Sequence, residues 1–384
     1  RIFHKPALPR SVIFCQTKTA TILKAVPIKI EEILIHQVSF PLIRPYKLSY
    51  RQFDAFEPFV IRVRDSDGRE GWGEIQISRG SSEETPEGGL AYAREHAPKI
   101  VGSTPEEAKA LLRSTMAASK ISATGLITAI EMMEGHPMLE VAEETRIPIL
   151  TPFESLDAAA IEAEVEARLA EGFRTFKLKV GKDVDADLER VGVIQKAING
   201  RADIRMDANR GFNAEQGCRF ASALNPEGIV LFEQPCPTED WDGNAEVAKV
   251  STVPIMLDEP ICSLADIERA GGIDGVMLCK VKLKRFGGID LLSDAIDLIR
   301  ELGMEAVLGD GTSIEIMSWM EACIAQTKLN NAGEFNGFLK PKDRLLKEPL
   351  PFENGDIVLP KGYKAEIDPD KLSAHLKEAP ERFA

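Results

Sequence analysis

The chain has 384 residues, which is enough for two ordinary domains. Its net charge of −14 argues against nucleic acid or an anionic membrane surface as a partner, because both attract basic patches. No apolar run approaches the roughly 18–20 residues of a membrane span. The six cysteines are scattered without a C-x-x-C pair, which predicts reduced thiols of a cytoplasmic protein and neither a disulfide framework nor a zinc site.

The first 27 residues differ in composition from the rest of the chain. They contain five Lys/Arg residues and no acidic residue, and they begin without Met. We interpret residues 1–27 as an extension ahead of the first domain, arising as a tag, a reading-frame artefact or a targeting segment.

Residues 28–145 are expected to form an α+β domain. Two β-rich runs come first, with an Asp-Gly turn predicted at Asp67-Gly68. Three helical segments follow. Thr104, with Glu107 three positions later, predicts a capped helix start.

Between residues 146 and 340, eight short apolar runs alternate with helical segments. Apolar strands that alternate with amphipathic helices indicate a parallel sheet covered by helices. Eight such units predict a barrel of the (β/α)8 type rather than an open sheet. Residues 341–384 show no clear eighth helix and are expected to return to the first domain.

Acidic side chains end three successive predicted strands. They are Asp207 in "RMDAN", Glu233 in "LFEQP" and Asp258 in "MLDEP". Barrels carry their chemistry at this end of their strands, and three oxygen ligands from neighbouring strands suit a hard divalent cation such as Mg²⁺. Each carboxylate could alone be a helix cap or a turn residue, but their shared position favours a metal site.

Lysines flank these carboxylates on both sides. Lys177 and Lys179 lie two positions apart in "FKLKVG", so they share one face of a strand. A half-exposed edge strand would explain this pair on its own. The sixth run adds three more lysines, and a carboxylate cluster with an anionic substrate would offset all of these charges. A lysine in such a place can act as a general base.

In these motifs the sequence resembles the enolase superfamily, specifically its muconate lactonizing enzyme subgroup in the mandelate racemase/muconate lactonizing enzyme family. "KLK", "DAN", "FEQP" and "LDEP" match in order and spacing, and "GWGE" at 71–74 is typical of the capping domain. The resemblance implies an α/β fold: a modified TIM barrel, (β/α)7β, with an N-terminal α+β capping domain that is completed by the C-terminal tail.

The resemblance also implies roles for individual residues. Lys282, five residues before Gly287-Gly288, matches the family's sixth-strand lysine better than Lys280 or Lys284 does. The implied set comprises catalytic Lys177, Lys179 and Lys282; Mg²⁺ ligands (Mn²⁺ as a substitute) Asp207, Glu233 and Asp258; and supporting or substrate-contacting residues Asn209, Glu259 and Asp310. The resemblance further implies a small carboxylate substrate and a homo-oligomer, from dimer to octamer.

Differences from the family's motifs limit which of its reactions this chain can be expected to catalyse. All five histidines lie outside the predicted barrel strands, which excludes a mandelate-racemase-like His–Asp pair. The eighth run has Glu334 and Asn336 where dipeptide epimerases carry an Asp-x-Asp motif for a substrate amine, which weakens a dipeptide assignment. Asp310 could contact an amine or hydroxyl instead, or could simply cap its Gly-Asp-Gly turn.

The expected reaction is abstraction of a proton alpha to a carboxylate, with an enediolate intermediate. The leading hypothesis is a racemase or epimerase of a small carboxylate, such as an N-substituted amino acid. An o-succinylbenzoate-synthase-like dehydratase (a lyase) and a muconate-type cycloisomerase are alternatives. A catalytically silent binding protein is disfavoured because both lysine groups and all three carboxylates are present.

Overall fold

The computed structural model describes residues 27–47, 52–79 and 82–384. The predicted extension therefore lies outside the described residues, except for Pro27. Within the described ranges, no helix is both long enough and apolar enough to cross a membrane.

The N-terminal part is the predicted α+β cap. Its strands are β1 Ile30–Gln37, β2 Phe40–Lys47, β3 Gln52–Phe56, β4 Phe59–Asp65 and β5 Glu70–Ile75, and its helices are α1 Pro86–Ile100, α2 Pro105–Thr115 and α3 Lys120–Glu134. Strands β1, β4 and β5 form an antiparallel sheet whose inner face packs on the helices. The predicted capping box of Thr104 and Glu107 is present.

The glycines of "GWGE" bring β5 directly against α3. A Cβ on Gly71 would clash with the carbonyl oxygen of Ala129, and one on Gly73 would clash with that of Gly125. Alternation along the strand leaves Glu74 on the other face, where it contacts the barrel.

The central part is a curved parallel sheet covered by helices. The chain enters it through β6 Thr145–Pro148. The seven parallel strands are β7 Thr151–Phe153, β8 Thr175–Lys179, β9 Asp203–Asp207, β10 Ile229–Glu233, β11 Ile255–Leu257, β12 Val276–Val281 and β13 Glu305–Leu308, in consecutive order. The helices are α4 Ala158–Ala170, α5 Val184–Ile198, α6 Ala214–Ala223, α7 Trp241–Val250, α8 Leu264–Gly271, α9 Leu283–Phe286, α10 Ile289–Glu301 and α11 Glu315–Lys328. The predicted modified TIM barrel with a cap is confirmed.

The predicted eighth strand is only a short bridging segment. Gly333 N–H donates to Pro148 O, Leu150 N–H donates to Gly333 O, and Glu334 N–H donates to Leu308 O, each at 2.9 Å. A 3₁₀ turn, Gly337–Leu339, follows at once. The chain bends there because Gly337 packs against the backbone of Ser313, where a side chain would not fit. Through these few hydrogen bonds the segment lies between β13 and the residues just before β7, but it does not form a regular strand with either.

The C-terminal part contacts both other parts. It contains β14 Phe352–Glu353, β15 Asp356–Leu359, α12 Pro369–Ala374 and β16 Glu381–Phe383. Strand β15 pairs with β6, and β16 pairs with β1 and completes the cap sheet. The tail returns to the first domain, as expected; the boundaries at 145/146 and 340/341 stay predictions.

Candidate active site

The predicted residues meet at the carboxyl ends of the parallel strands. Glu233 is in register with Asp207, and Asp207 is in register with Lys179. Asp258 directly follows β11, and Lys282 directly follows β12. Because neighbouring parallel strands end at the same edge, these side chains lie at one level of the mouth.

Lys177 lies at the centre of the carboxylates. Its Nζ is 3.0 Å from Asp207 Oδ2, 2.8 Å from Glu233 Oε2 and 2.8 Å from Glu334 Oε1. Burial alone would lower the pKa of Lys177, but the carboxylates outweigh it and the pKa lies well above its usual value. Lys177 therefore carries a positive charge, and the surrounding carboxylates compensate for the cost of burying that charge in a strand.

Lys179 and Lys282 stand at opposite ends of the carboxylate row. Lys179 Nζ is 2.5 Å from Asp207 Oδ2, and its side chain is 47% exposed at the mouth. Lys282 Nζ is 3.0 Å from Asp258 Oδ2 and is only 14% exposed. Strands β9, β10 and β11 separate the two strands that carry these lysines, so the ammonium groups approach the mouth from different sides.

Asp258 is held by an arginine that the sequence analysis did not single out. Arg285 Nη1 donates to the side-chain Oδ1 of Asp258 at 2.8 Å and to its backbone oxygen at 2.7 Å. Burial would raise the pKa of Asp258, yet Lys282 and Arg285 hold it well below its usual value. This carboxylate stays ionised.

Asn209 and Glu259 lie beside the row of carboxylates. Asn209 donates its backbone N–H to Asp207 Oδ1 at 2.7 Å and its side-chain amide to Glu259 Oε1 at 2.9 Å. Burial, and then the charge of Asp258, raises the pKa of Glu259. Asn209 thus joins two carboxylates, and the supporting or substrate-contacting role expected of Asn209 and Glu259 stays a prediction.

The three predicted ligand residues fit a divalent cation by their chemistry. All three carboxylates are buried, and Glu233 Oε1 has no hydrogen-bond partner. Burial, and then the charge of Asp207, raises the pKa of Glu233 to about 7. Among the described residues, this buried Oε1 accepts no hydrogen bond, and its only charged neighbour in an ion pair is Lys280 Nζ at 4.0 Å. The cluster also draws the ammonium of Lys177 to within 3.0 Å of two of its carboxylates, which marks a place for positive charge. Across the described ranges, no three His, Cys, Asp or Glu side chains already stand in metal-holding geometry.

Asp310 forms an ion pair with Lys284. Its Oδ1 also accepts hydrogen bonds from the backbone and hydroxyl of Thr312, at 3.1 and 2.8 Å. Burial would raise the pKa of Asp310, but Lys284 and Lys282 hold it below its usual value. The carboxylate of Asp310 therefore caps its own turn through Thr312 and also pairs with Lys284.

Glu334 is the main site residue whose role the sequence reasoning missed. Its oxygens accept from Lys177 at 2.8 and 2.9 Å, and it also pairs with Lys280. Asn336, two residues later, donates to Leu150 O at 3.0 Å and accepts from Lys340 at 2.8 Å. Glu334 and Asn336 stand where dipeptide epimerases carry the Asp-x-Asp motif for a substrate amine. In this chain both side chains are bonded to other residues of the protein. The sequence did offer one signal for this role: two lysines on one face of a strand require nearby acidic side chains to compensate for their charge.

The site opens into a cavity of about 1460 Å³ whose wall includes Lys179, Asp258, Lys282 and Asp310, together with Tyr46 and Ser78 from the cap. A second cavity, of about 1170 Å³, lies between the cap sheet and residues 361–376. None of the predicted site residues lines this second cavity. The predicted site residues that line a cavity therefore line the one at the barrel mouth.

Comparison with known proteins agrees with this geometry. The profile of the "Enolase C-terminal domain-like" family matches residues 160–371. The chain is 29% identical to a "Hydrophobic dipeptide epimerase" of Citrifermentans bemidjiense, over 78% of this chain and 84% of the relative. It is 28% identical to "Muconate cycloisomerase 1" of Acinetobacter baylyi, over 87% of this chain and 96% of the relative. The crystal structure of a muconate lactonizing enzyme from Pseudomonas fluorescens in complex with muconolactone superposes with a TM-score of 0.83. It is 25% identical and covers 92% of this chain and 100% of its own.

The capped, curved parallel sheet with acids and lysines at its mouth defines an isomerase of the enolase superfamily. Within that superfamily, the chain belongs to the mandelate racemase/muconate lactonizing enzyme family.

Proposed function

We propose that this enzyme is a Mg²⁺-dependent racemase or epimerase of a small carboxylate, such as an N-substituted amino acid. The observation that carries the proposal is the placement of Lys179 and Lys282 at opposite ends of one carboxylate row. Inverting a carbon centre requires one group to remove a proton from one face and another group to deliver a proton to the other face. Two lysines that approach from different sides meet that requirement.

Asp207, Glu233 and Asp258 would hold the divalent cation, Mg²⁺ or Mn²⁺, because all three offer buried carboxylate oxygens from neighbouring strands. When bound, such an ion offsets the negative charge that develops on the substrate carboxylate.

Lys177 assists from within the barrel. It is buried, and although burial lowers its pKa, the three carboxylates within 3.0 Å of its Nζ outweigh that effect and keep it positively charged. A fixed positive charge in a dry site stabilises the enediolate that forms when the alpha proton leaves. Its bonds to Glu334 and Glu233 keep its Nζ in place.

Proton transfer falls to the other two lysines. In one direction, neutral Lys179 takes the alpha proton onto Nζ, and the ammonium of Lys282 donates a proton to the opposite face of the carbon. In the other direction the roles are exchanged. Each transfer is between an amine nitrogen and the alpha carbon, and proton exchange with water restores the two lysines before the next turnover in the same direction.

A cycloisomerase reaction is the second candidate, and one observation favours it. Lys282 is largely buried, and its Nζ lies 3.0 Å from Asp258 Oδ2; burial and Arg285 lower its pKa, but Asp258, Asp310 and Glu259 outweigh them. A lysine kept charged would serve as a cationic stabiliser, with Lys179 as the single base. The similarity to a muconate cycloisomerase over most of both chains supports this alternative.

The internal bonds of Glu334 and Asn336 argue against a substrate amine bound at their position. For this reason we do not extend the dipeptide specificity in the name of one relative to this chain. We further propose a cytoplasmic homo-oligomer; the cysteines among the described residues are free thiols, which supports the proposed location.

Incubation of the purified protein in D₂O with Mg²⁺ and a panel of N-acyl amino acids and other small carboxylates tests the reaction class. Mass spectrometry should detect deuterium at the alpha carbon, and chiral chromatography should detect the opposite enantiomer. Deuterium uptake without inversion would replace the racemase proposal by a one-base reaction.

A further inference from the structure

The barrel helices that the structure describes begin in two different ways. Helices α4 to α8 each start at a polar residue whose side chain accepts a hydrogen bond from a backbone N–H of the first turn. The N-cap residues of α9, α10 and α11 are Lys282, Gly288 and Ile314, and none of these three described residues contributes a capping side chain. These last three helices follow β12 and β13, so they lie on the Lys282 side of the site.

A side chain of the cap takes the place of the missing N-cap of α11. Glu74, on strand β5, accepts from Ile314 N–H at 2.7 Å and from Met317 N–H at 3.1 Å. Glu74 is only 1% exposed. Its carboxyl oxygens therefore satisfy N–H groups that have no partner within the helix, at the end of the helix that favours an acid.

Helix α3 of the cap binds the turn between α9 and α10 in a similar way. Glu131 accepts from Ile289 N–H at 2.8 Å, at the start of α10. Thr124 Oγ1 accepts from Gly287 N–H at 3.0 Å, at the end of α9. The end of α9 is therefore attached to the cap.

Glu321 connects the start of α9 to the helix that Glu74 caps. It lies in α11, and its Oε1 accepts from Leu283 N–H at 3.1 Å. Leu283 directly follows Lys282. The four accepting side chains are buried, each at most 1% exposed. The short helix α9 is thus held at its start through α11 and at its end by α3, and both attachments lead to the cap.

We infer that Glu74 and Glu131 are positioning residues for Lys282, through which the docked cap sets the Lys282 side of the site. The inference rests on the proposed function, because it takes Lys282 as one of the two proton-transfer groups. The Lys179 side is built differently: Lys179 ends β8, and the next helix, α5, begins at its own cap, Asp183. A shift of about 1 Å in a reacting group can slow a reaction by about 100-fold, so loosening α9 should affect one proton transfer and not the other.

Exchange resolved by enantiomer separates positioning from a general loss of stability. Alpha-proton exchange in D₂O should be followed for each enantiomer of a turned-over substrate in the wild type, Glu74→Gln and Glu131→Met. The first variant replaces one accepting oxygen by an N–H donor, and the second removes the acceptor at a similar volume. Both should slow exchange of the enantiomer that depends on Lys282 by at least about tenfold and leave the other within about twofold. Lys282→Ala identifies the dependent enantiomer.

Two further variants serve as controls. Glu131→Gln keeps an oxygen for Ile289 N–H and should retain most of the exchange that Glu131→Met loses. Glu32 is buried in the cap sheet, where it pairs with Arg62 and Arg382. Glu32→Gln should therefore affect the two enantiomers equally.

Equal slowing of both enantiomers in Glu74→Gln and Glu131→Met would overturn the inference, and so would unchanged exchange of both. Backbone hydrogen–deuterium exchange, measured by mass spectrometry without substrate, tests the attachment separately. Peptides that cover 283–292 and 309–317 should exchange faster in the two variants, and those that cover 175–190 should not. If the wild type exchanges one enantiomer or none, the racemase proposal fails and these peptides decide the inference: unchanged protection overturns it, and local loss of protection supports it.

Discussion

Lys177 and Glu334 are joined by two hydrogen bonds, of 2.8 and 2.9 Å, although 157 residues separate them in the chain. Lys177 lies on the second parallel strand, and Glu334 lies on the bridging segment that follows the seventh. The ion pair therefore crosses the inside of the barrel where the strand ladder is least regular. It holds Lys177, for which we propose a role in catalysis, in a fixed position.

Glu334→Gln should destabilise the fold. The substitution keeps the shape but removes the charge that compensates Lys177 and Lys280, and breaking a buried ion pair in this way costs about 3 kcal/mol. Urea unfolding of the metal-free protein measures the change. Glu366→Gln is the control, because Glu366 forms an exposed pair with Lys347 and should change stability by less than about 1 kcal/mol. Equal small effects in both variants would show that the buried pair contributes little.

Glu233→Ala should remove specific Mg²⁺ binding, because it deletes the middle carboxylate of the proposed ligand set. Isothermal titration calorimetry on the variant and the wild type measures the affinity. Glu305→Ala serves as the control, since Glu305 is exposed at the opposite end of β13, another strand of the same sheet. Wild-type affinity in the Glu233 variant would refute the ligand assignment.

Glu131 should make stability fall as the pH rises. This carboxyl accepts a hydrogen bond from Ile289 N–H at 2.8 Å, between the cap and the barrel, and burial raises its pKa to about 7. The folded state therefore keeps the proton up to about pH 7, while the unfolded chain loses it near pH 4.5. The stabilisation is complete below about pH 4.5 and is lost as the pH rises through about 7, a change of about 3 kcal/mol.

Urea unfolding between pH 4 and 8 measures this dependence. Glu131→Gln, which cannot ionise, should show a flatter profile than the wild type and should gain relative stability at pH 8. Glu106→Gln, at an exposed position of α2, should leave the profile unchanged. Parallel profiles for the wild type and Glu131→Gln would contradict the assignment.

Much of the site geometry could be predicted from local sequence. The spacing of Asp207, Glu233 and Asp258 fixes one acid per strand–helix unit, and parallel strands necessarily end at one edge. Lys177 and Lys179 are two positions apart in a strand, so their side chains must point to the same face. The structure places all of these side chains at the barrel mouth, while their catalytic and metal-binding roles stay predictions.

The rest depends on long-range packing that local patterns do not encode. Nothing near Glu334 in the sequence indicates that Lys177 and Lys280 are its partners, since the pairs form only when the sheet curves. The eighth apolar run resembles a strand, yet Gly337 must pack against the backbone of Ser313, and the chain turns there. Arg285 follows Lys282 by three residues, and only the short helix α9 directs it to Asp258.

The separate exchange behaviour of the two lysine variants tests the central proposal most directly. Alpha-proton exchange in D₂O should be followed for each enantiomer of a turned-over substrate in the wild type, Lys179→Ala and Lys282→Ala. Lys196→Ala, an exposed lysine of α5, is the control. Each active-site variant should lose exchange of one enantiomer, the opposite one in each case, and racemisation should fall by roughly 10²–10⁴-fold or more in both. If the wild type exchanges a single enantiomer, and loss of Lys282 only slows it, the two-base racemase is contradicted and the one-base cycloisomerase takes its place.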